Sequence, residues 1–192
     1  MVYEFAHIVQ QRLPWIWDGV EALNAVLFKA KMQGRMARLK DGCLGEARLV
    51  GVEDAEKLAE FFVRQPKESF RWFQPHGFDV KTLRKLMKRK SYIMYVMEEN
   101  EEIVGYAFLR CFFHGKCFSG KIVDVGHQRK GISTKLTTVG IEIAHQLDLK
   151  MFATINKENI GSMKAGMKAG EVIVVRELEG GDRLSEYRKK KY

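Results

Sequence analysis

The stretch of the chain that most constrains its fold is KIVDVGHQRKGISTKLTTVG, residues 121–140. It predicts a buried strand that ends at Ile122 and Val123, a basic turn over residues 128–133, and a helix from about Ile132 onward. The first amides of a helix lack intrahelical partners and carry partial positive charge. The turn is therefore a predicted anion site, and phosphate is its most obvious guest.

The residue types in this turn fit such a site. Gly131 lets the backbone approach a ligand closely, and Ser133 is small enough not to block it. Arg129 and Lys130 add positive charge beside it. A single glycine does not satisfy the nucleoside-triphosphate loop, which needs two, or the dinucleotide fingerprint, which needs three.

The rest of the chain predicts one α/β domain preceded by a helical extension. Hydrophobic periodicity and turn residues predict helices and strands in a defined order. The strands are expected at 47–50, 92–97, 103–113, 117–123, 151–155, 172–178 and 184–190, and the helices at 54–63, 80–90, 132–147 and 159–169. Residues 66–78 are expected to form a loop or short helical turns, because they contain two prolines and one glycine.

Residues Gln128-x-x-Gly131-x-Ser133 resemble the Q/R-x-x-G-x-G/A pyrophosphate loop of the GCN5-related N-acetyltransferases, the GNAT family. The order of predicted elements resembles the fold of that family over residues 46–188. This resemblance implies an α/β fold with a mixed, mostly antiparallel central sheet flanked by helices. The expected organisation is an N-terminal helical extension over residues 1–44 and a GNAT-like acyl-CoA-binding catalytic domain over residues 45–192.

The resemblance also implies a co-substrate and a reaction. Acetyl-CoA is expected to place its pantetheine arm along the strand that ends at Val123, with Asn159 nearby. Its pyrophosphate is expected on the turn, at Gln128, Arg129, Lys130, Gly131, Ile132, Ser133 and Thr134. The implied reaction is transfer of an acetyl group to the amine of a small molecule, for which an amino sugar is one candidate.

Two residues are predicted to carry protons in this reaction. His76 lies in an aromatic loop and has a side chain suited to proton transfer near neutral pH. Asp124, at the strand end, could act as a base, although an aspartate before a turn is also typical of a local cap for backbone amides. The family's glutamate base falls near Ser119 here and its tyrosine acid falls at Gly166. The proton carriers are therefore sought among the other residues of this chain.

The first 44 residues allow several interpretations. Pro14 opens a predicted amphipathic helix whose apolar stripe is Ile16, Trp17, Val20, Leu23, Leu27 and Phe28. This helix is expected to pack on the catalytic body or on a second subunit of a homodimer. A helix lying on a membrane surface is the alternative, disfavoured because acidic Asp18 and Glu21 would be repelled by anionic lipid.

Composition limits the other function classes. The net charge of +9 and pI near 9.5 favour anionic partners without choosing among them. The three cysteines lack metal-ligand spacing, which predicts that the protein has no metal site and lies in the reducing cytoplasm. No apolar run is long enough for a membrane span. No nucleic-acid partner is expected, since basic residues are interspersed with acidic ones. The alternatives left open are a protein N-acetyltransferase, a non-catalytic acyl-CoA sensor and a nucleic-acid or membrane-surface binder.

Overall fold

A computed structural model of the protein describes residues 14–36, 39 and 44–190. The helices are α1 Pro14–Met36, α2 Ala55–Val63, α3 Val80–Met87, α4 Ile132–Gln146 and α5 Ile160–Ala169. The strands are β1 Ala47–Leu49, β2 Tyr92–Glu99, β3 Glu102–Phe112, β4 Lys116–Val123, β5 Lys150–Asn156, β6 Glu171–Glu177 and β7 Asp182–Arg188. Short 3-10 turns cover Val52–Asp54, Lys67–Phe70, Val125–His127 and Glu179–Gly181.

The strands form one seven-stranded sheet in the order β1-β2-β3-β4-β5-β7-β6. All neighbouring pairs are antiparallel except β4 and β5, which run parallel. The predicted mixed, mostly antiparallel sheet flanked by helices is therefore confirmed, as is the three-stranded meander that leads into the basic turn. The predicted boundaries of the strands and of the helices after residue 44 lie within two residues of the observed ones, except that α3 ends at Met87 rather than at Lys90.

Helices cover both faces of the sheet and create two apolar cores. On one face, buried residues of α1 and α4 pack with those of the sheet, including Phe28, Leu136 and Ile143. On the other face, α2 and α3 enclose an aromatic core around Phe62 and Tyr106. Burial of these apolar surfaces is the main favourable contribution to folding.

A glycine on β3 brings α4 close to the sheet. A Cβ atom at Gly105 would lie 2.7 Å from Cγ2 of Ile132 and 3.0 Å from Cδ1 of Leu136. Contacts this short would force the helix away from the strand. Gly105 therefore sets how deeply the first turn of α4 sits against β3.

Helix α1 begins at Pro14, as predicted, but presents a different face to the protein. Phe28 and Met32 are buried in the core shared with α4, whereas Val20, Leu23 and Leu27 are exposed. Packing on the body therefore buries Phe28 of the predicted stripe but not these three residues, and their packing on a second subunit stays a prediction. The structure does not describe the side chains of Trp15, Ile16, Trp17 and Asp18.

Polar contacts decide the orientation of α1. The side-chain amide of Asn24 donates to the carbonyl oxygen of Cys111 at 2.9 Å, and its oxygen accepts from the amide of Phe113 at 3.1 Å. Arg110 forms a salt bridge with the buried Glu21. These bonds pair polar groups at the end of β3, which would be costly to bury unpaired. Packing of α1 on the body is thus observed, and its role in a homodimer remains a prediction.

Several expectations concern residues outside the described ranges. The proposed linker at residues 42–45 is described only from Leu44, and Cys43 is not described. A domain boundary between residues 44 and 45 stays a prediction. Across residues 14–36, 39 and 44–190, no helix is long and apolar enough to cross a membrane.

The sheet opens next to the basic turn. The register of β4 with β5 covers three residue pairs and ends at Phe118 opposite Phe152. On its other side, β4 stays paired with β3 as far as Val123. From residue 119 to 123, β4 therefore has a strand neighbour on one side, and a wedge-shaped opening separates it from β5. We call this opening the wedge.

Candidate functional site

The basic turn after β4 has the backbone geometry of an anion-binding site, which we call the anion seat. Gly131 is the N-cap of α4 and has a φ of +83°, in the left-handed region that favours glycine. Arg129 also has a positive φ, of +63°. The first bond of α4 runs from the amide of Lys135 to the carbonyl oxygen of Gly131 at 3.0 Å. The amides of residues 132–134 precede that bond, so they are free of intrahelical partners and can bind an anion.

A cavity of about 590 Å³ lies between this turn, the wedge and α5. The end of β4 and the turn form one wall, the first residues of α5 form another, and the loop before α3 closes the far end. Its volume is within the range of roughly 300–1,000 Å³ common for ligand sites.

The charge around this cavity suits an anionic ligand. Among the described residues that line it, the basic ones are Lys121, Arg129, Lys164 and Lys168, whereas Glu68 is the acidic one. Charges of one sign around a concave surface raise the local concentration of ligands of the opposite sign. The excess of positive charge and the exposed helix amides therefore favour the same class of ligand.

Most of the predicted cofactor-binding residues meet in this cavity. Eight of the nine line it: Val123, Gln128, Arg129, Gly131, Ile132, Ser133, Thr134 and Asn159. Lys130 is not among the lining residues, and its ammonium lies 3.7 Å from the carboxylate of Glu99. Whether these residues bind acetyl-CoA stays a prediction, but the fold brings the eight of them together.

Asp124 lies just outside the cavity and holds the turn in place. Its carboxylate accepts hydrogen bonds from Gln65 at 2.8 Å, from the amide of Gly126 at 2.9 Å and from Nδ1 of His127 at 2.9 Å. Burial opposes its charge, but these bonds and the nearby Arg64 outweigh burial and lower the pKa of Asp124 to about 2. This geometry favours the interpretation of Asp124 as a cap for turn amides over that of a base.

His76 is placed in the aromatic core rather than on the cavity wall. Its Nδ1 lies 2.8 Å from the carbonyl oxygen of Gly77, which can only accept, so Nδ1 carries the proton. Nε2 is then the acceptor for the hydroxyl of Tyr106 at 3.0 Å. Burial lowers the pKa of His76 and favours this neutral form. Its predicted role in proton transfer remains untested, and the structure satisfies both ring nitrogens with protein partners.

Gly166, on α5, stands where the family's tyrosine acid would fall, and a side chain from β7 occupies the space beside it. A Cβ atom at Gly166 would lie 2.7 Å from both Cε1 and the hydroxyl oxygen of Tyr187, on β7. The Tyr187 hydroxyl is buried and has no hydrogen-bond partner among the described residues. Tyr187 does not line the cavity, so it does not supply the missing acid there.

Two residues that span the wedge, Lys121 and Ser162, are not among the predicted site residues. Lys121, on β4, points its amine across the opening toward Ser162 on α5, with 3.4 Å between Nζ and Oγ. Ser162 is held in place because its amide donates to the capping side chain of Asn159 at 3.1 Å. The sequence signal that could have identified Lys121 is its position, because it is a lysine two residues before Val123 in a strand with a buried end.

The far end of the cavity has an aromatic and polar lining. Trp72, Phe73, Glu68 and Ser69 contribute to it, and Trp72 is 40% exposed. The neighbouring Arg71 pairs with Glu158 at 2.8 Å, which connects this loop to the segment before α5. This ion pair lies on the surface of the protein, where it joins the two segments.

A second cavity, of about 640 Å³, lies between α4 and the strands β6 and β7. Its lining includes His145, Lys150 and Glu186, but neither a helix N-terminus nor the basic turn. Its charged groups are partly neutralised within the protein, since Arg188 donates to Glu186 at 2.8 Å. The cavity at the turn is therefore the better candidate for the functional site.

Comparison with known proteins identifies the architecture around that cavity. Residues 55–169 match the model of the "Acetyltransferase (GNAT) family". The matched segment begins at α2 and ends with α5, so it includes the meander, the basic turn and the wedge. No curated protein matches the chain.

Solved structures share the fold at low sequence identity. YncA, a putative acetyltransferase from Salmonella typhimurium with acetyl-CoA, has a TM-score of 0.59 and 20% identity, covering 76% of this chain and 94% of that one. Aminoglycoside acetyltransferase AAC(6')-Ib with paromomycin and acetyl-CoA has a TM-score of 0.58 and 17% identity, with 75% and 92% covered. A ribosomal-protein-S5-alanine acetyltransferase from Vibrio fischeri has a TM-score of 0.60 and 19% identity, with 74% and 91% covered.

Proposed function

Because the chain belongs to the GNAT acetyltransferase family, we propose that it binds acetyl-CoA in the cavity at the basic turn and transfers the acetyl group to the amine of a small molecule. The observation that carries this proposal is the convergence of eight predicted cofactor-binding residues on one cavity whose charged lining residues are mainly basic. Acetyl-CoA supplies an activated acetyl thioester. The protein binds and orients the reactants and supplies the groups that accept and donate protons.

The donors at the turn fit a pyrophosphate group. Free amides at residues 132–134 point from a helix N-terminus, and Arg129 adds a full positive charge beside them. The left-handed conformation of Gly131 shapes this turn, and no atom lies within 4 Å of the position a Cβ would take there. The seat therefore stays open to a ligand that must approach the backbone closely.

The wedge fits the amide-containing pantetheine arm. From residue 119 to 123, β4 lacks a strand partner on the side of β5, so its backbone groups there can bond to a ligand. An extended ligand that adds along an exposed strand edge gains main-chain hydrogen bonds. The same amides can polarise a thioester carbonyl when the arm lies along the strand.

The acceptor end of the cavity favours a small amine. Trp72 and Phe73 offer an apolar surface for a ring, and the carboxylate of Glu68 suits a cationic amine. The ion pair between Arg71 and Glu158 ties the loop that carries these residues to the segment before α5. AAC(6')-Ib, whose fold this chain shares, is described with an aminoglycoside, and an amino sugar is accordingly our first candidate.

The proposal is tested by calorimetry with acetyl-CoA, desphospho-CoA and ATP on protein freed of co-purified ligand, followed by a panel of amines. We expect tight and CoA-selective binding, and turnover with at least one amino sugar. Absence of CoA binding would overturn the proposal. Binding without turnover on any amine would instead support an acyl-CoA sensor, and turnover on a protein N-terminus alone would support a protein N-acetyltransferase.

A further inference from the structure

Lys121 occupies an unusual position for a lysine. It lies on β4 inside the wedge, lines the candidate acetyl-CoA cavity and extends toward α5, where Ser162 Oγ is 3.4 Å from its amine. That distance is longer than an ideal hydrogen bond. No carboxylate within the described residues forms a salt bridge with Lys121, although the chain pairs many of its exposed lysines and arginines. The strand thus holds an amine without a carboxylate partner among the described residues, at a place where a ligand would pass.

The position of Lys121 within the cavity indicates which part of a ligand it would meet. The basic turn that would seat the pyrophosphate lies beyond Val123, and the aromatic acceptor end is formed by Trp72 and Phe73. An arm that leaves the turn and follows the open edge of β4 passes Val123 first and then Lys121. Along β4, Lys121 therefore lies between the phosphate seat and the acceptor end, and the reacting sulfur is expected beside it.

We propose that Lys121 is a catalytic residue that donates a proton to the thiolate of coenzyme A as the acetyl group leaves. This inference rests on the proposed acetyl-CoA binding. The family's tyrosine acid is absent, since Gly166 occupies its place and Tyr187 does not line the cavity. Lys121 supplies a proton donor on the opposite wall of the same cavity.

The step balances in atoms and charge. The acceptor nitrogen forms a bond to the thioester carbonyl carbon, and the carbon–sulfur bond breaks. The ammonium of Lys121 gives one proton to the departing sulfur and becomes a neutral amine. The proton that the acceptor nitrogen loses on forming the amide then returns to Lys121 directly or through water, which restores the starting state.

The acidity of Lys121 suits this role. Burial lowers the pKa of Lys121 to about 8, because a charged amine is disfavoured away from water. A donor whose pKa is near the working pH is charged before the step and gives up its proton readily. The other titratable groups that line the cavity are Glu68, His127, Arg129, Lys164 and Lys168.

The test measures the thiol pKa of coenzyme A bound to the protein, by following the ultraviolet absorbance of the thiolate against pH, and needs no acceptor. An ammonium beside the sulfur stabilises the thiolate, so the thiol pKa of bound CoA should lie below that of free CoA. In Lys121→Met we expect this thiol pKa to rise by at least about one unit, which is a tenfold loss of thiolate at neutral pH. The affinity for desulfo-CoA, which lacks the sulfur, should stay unchanged.

The matched control is Lys116→Met, which makes the same substitution at the exposed start of the same strand. Lys116 lies over the ring of Phe152 and does not line the cavity. It should leave the thiol pKa at the wild-type value. An unchanged thiol pKa in Lys121→Met would overturn the inference, and so would a loss of desulfo-CoA affinity, which would assign Lys121 to holding the arm.

Two outcomes separate this inference from the proposed function. If the wild-type protein does not bind CoA at all, the proposed function fails and the inference with it. If it binds CoA but Lys121 has no effect on the thiol, the proposed function stands and the inference alone fails. Should Lys121→Met not fold, the wild-type protein decides, because a bound thiol pKa equal to that of free CoA would overturn the role of Lys121.

Discussion

Asp124 accepts a hydrogen bond from His127, with 2.9 Å between Oδ1 and Nδ1, within the turn that leads from β4 to the cavity. His127 lines the cavity and Asp124 does not. The carboxylate therefore acts on the ligand site through the backbone and the imidazole that it holds. This relationship makes Asp124 a positioning residue and gives its charge a measurable effect on stability.

Asp124→Asn should destabilise the protein at neutral pH and much less in acid. The folded pKa of about 2 lies below the unfolded value of about 3.9. The unfolded state therefore binds more protons between these values. The contribution of Asp124, about 2.6 kcal/mol at most, is present above about pH 4 and lost as the pH falls toward 2.

The measurement is the free energy of unfolding of wild type and Asp124→Asn between pH 2 and pH 7. Glu102→Gln is the matched control, because Glu102 pairs with the same Arg64 but is exposed. The control should stay close to wild type throughout. If the difference in the free energy of unfolding between wild type and Asp124→Asn does not change with pH, the prediction is contradicted.

His76→Gln should destabilise the protein by about 1–2 kcal/mol at pH 7.5, because it disturbs the bonds to Gly77 and Tyr106. Burial lowers the folded pKa of His76 below its unfolded value of about 6.5. As the pH falls below that value, the unfolded state takes up a proton first, and the wild type loses stability. The difference between wild type and variant should therefore narrow at pH 5.

Denaturant unfolding at the two pH values checks this expectation. His114→Gln, at an exposed histidine of the β3–β4 hairpin, is the control for histidine removal. A difference that widens in acid would contradict the neutral, buried form of His76. A roughly hundredfold fall in turnover with unchanged stability would support its role in proton transfer instead.

Gly131→Glu should abolish measurable CoA binding while the protein stays folded. The substitution adds bulk and negative charge at the first turn of α4, where an anion is expected. Gly115→Glu is the matched control, since Gly115 has a φ of +89°, similar to the +83° of Gly131, and also has no atom near its Cβ position. Both variants incur the same backbone strain, so a comparable loss of binding in the two would refute the assignment of the turn.

Gly105→Ala should destabilise the protein by about 1–3 kcal/mol, because the added methyl group would press on Ile132 and Leu136. Gly34→Ala provides a comparison on α1, where nothing lies within 4 Å of the Cβ position. That change should stabilise the protein by about 0.5–1 kcal/mol through helix propensity. Thermal unfolding measures both, and equal stabilities of wild type and Gly105→Ala would show that α4 can shift without cost.

Short-range sequence signals explain why so much of the fold was predictable. Asn159 caps α5 by accepting from the amide of Ser162, and Gly131 takes the left-handed conformation that opens α4. Caps, turns and hydrophobic periods act over a few residues, so they can be recognised in the sequence. The basic turn, and with it most of the candidate cofactor site, follows from such signals.

Burial partners, in contrast, were decided by tertiary structure. The apolar period of α1 predicted a stripe that includes Val20, Leu23 and Leu27, but these three residues are exposed and the fold buries the face with Glu21 and Asn24. The reason is that the end of β3 offers Arg110 and backbone groups that need polar partners. A periodic pattern cannot show what lies opposite a helix.

By itself, the sequence determined the order of the elements, the basic turn after β4 that is predicted to seat an anion, and the residues that surround this turn. Only the tertiary structure decided that β4 and β5 part after Phe118, that His76 turns into the aromatic core, and that Lys121 faces an open wedge without a carboxylate partner among the described residues. These features depend on contacts between residues distant in the chain. Local propensity encodes where a strand ends, but only packing fixes which side chain is left without a partner beside the ligand.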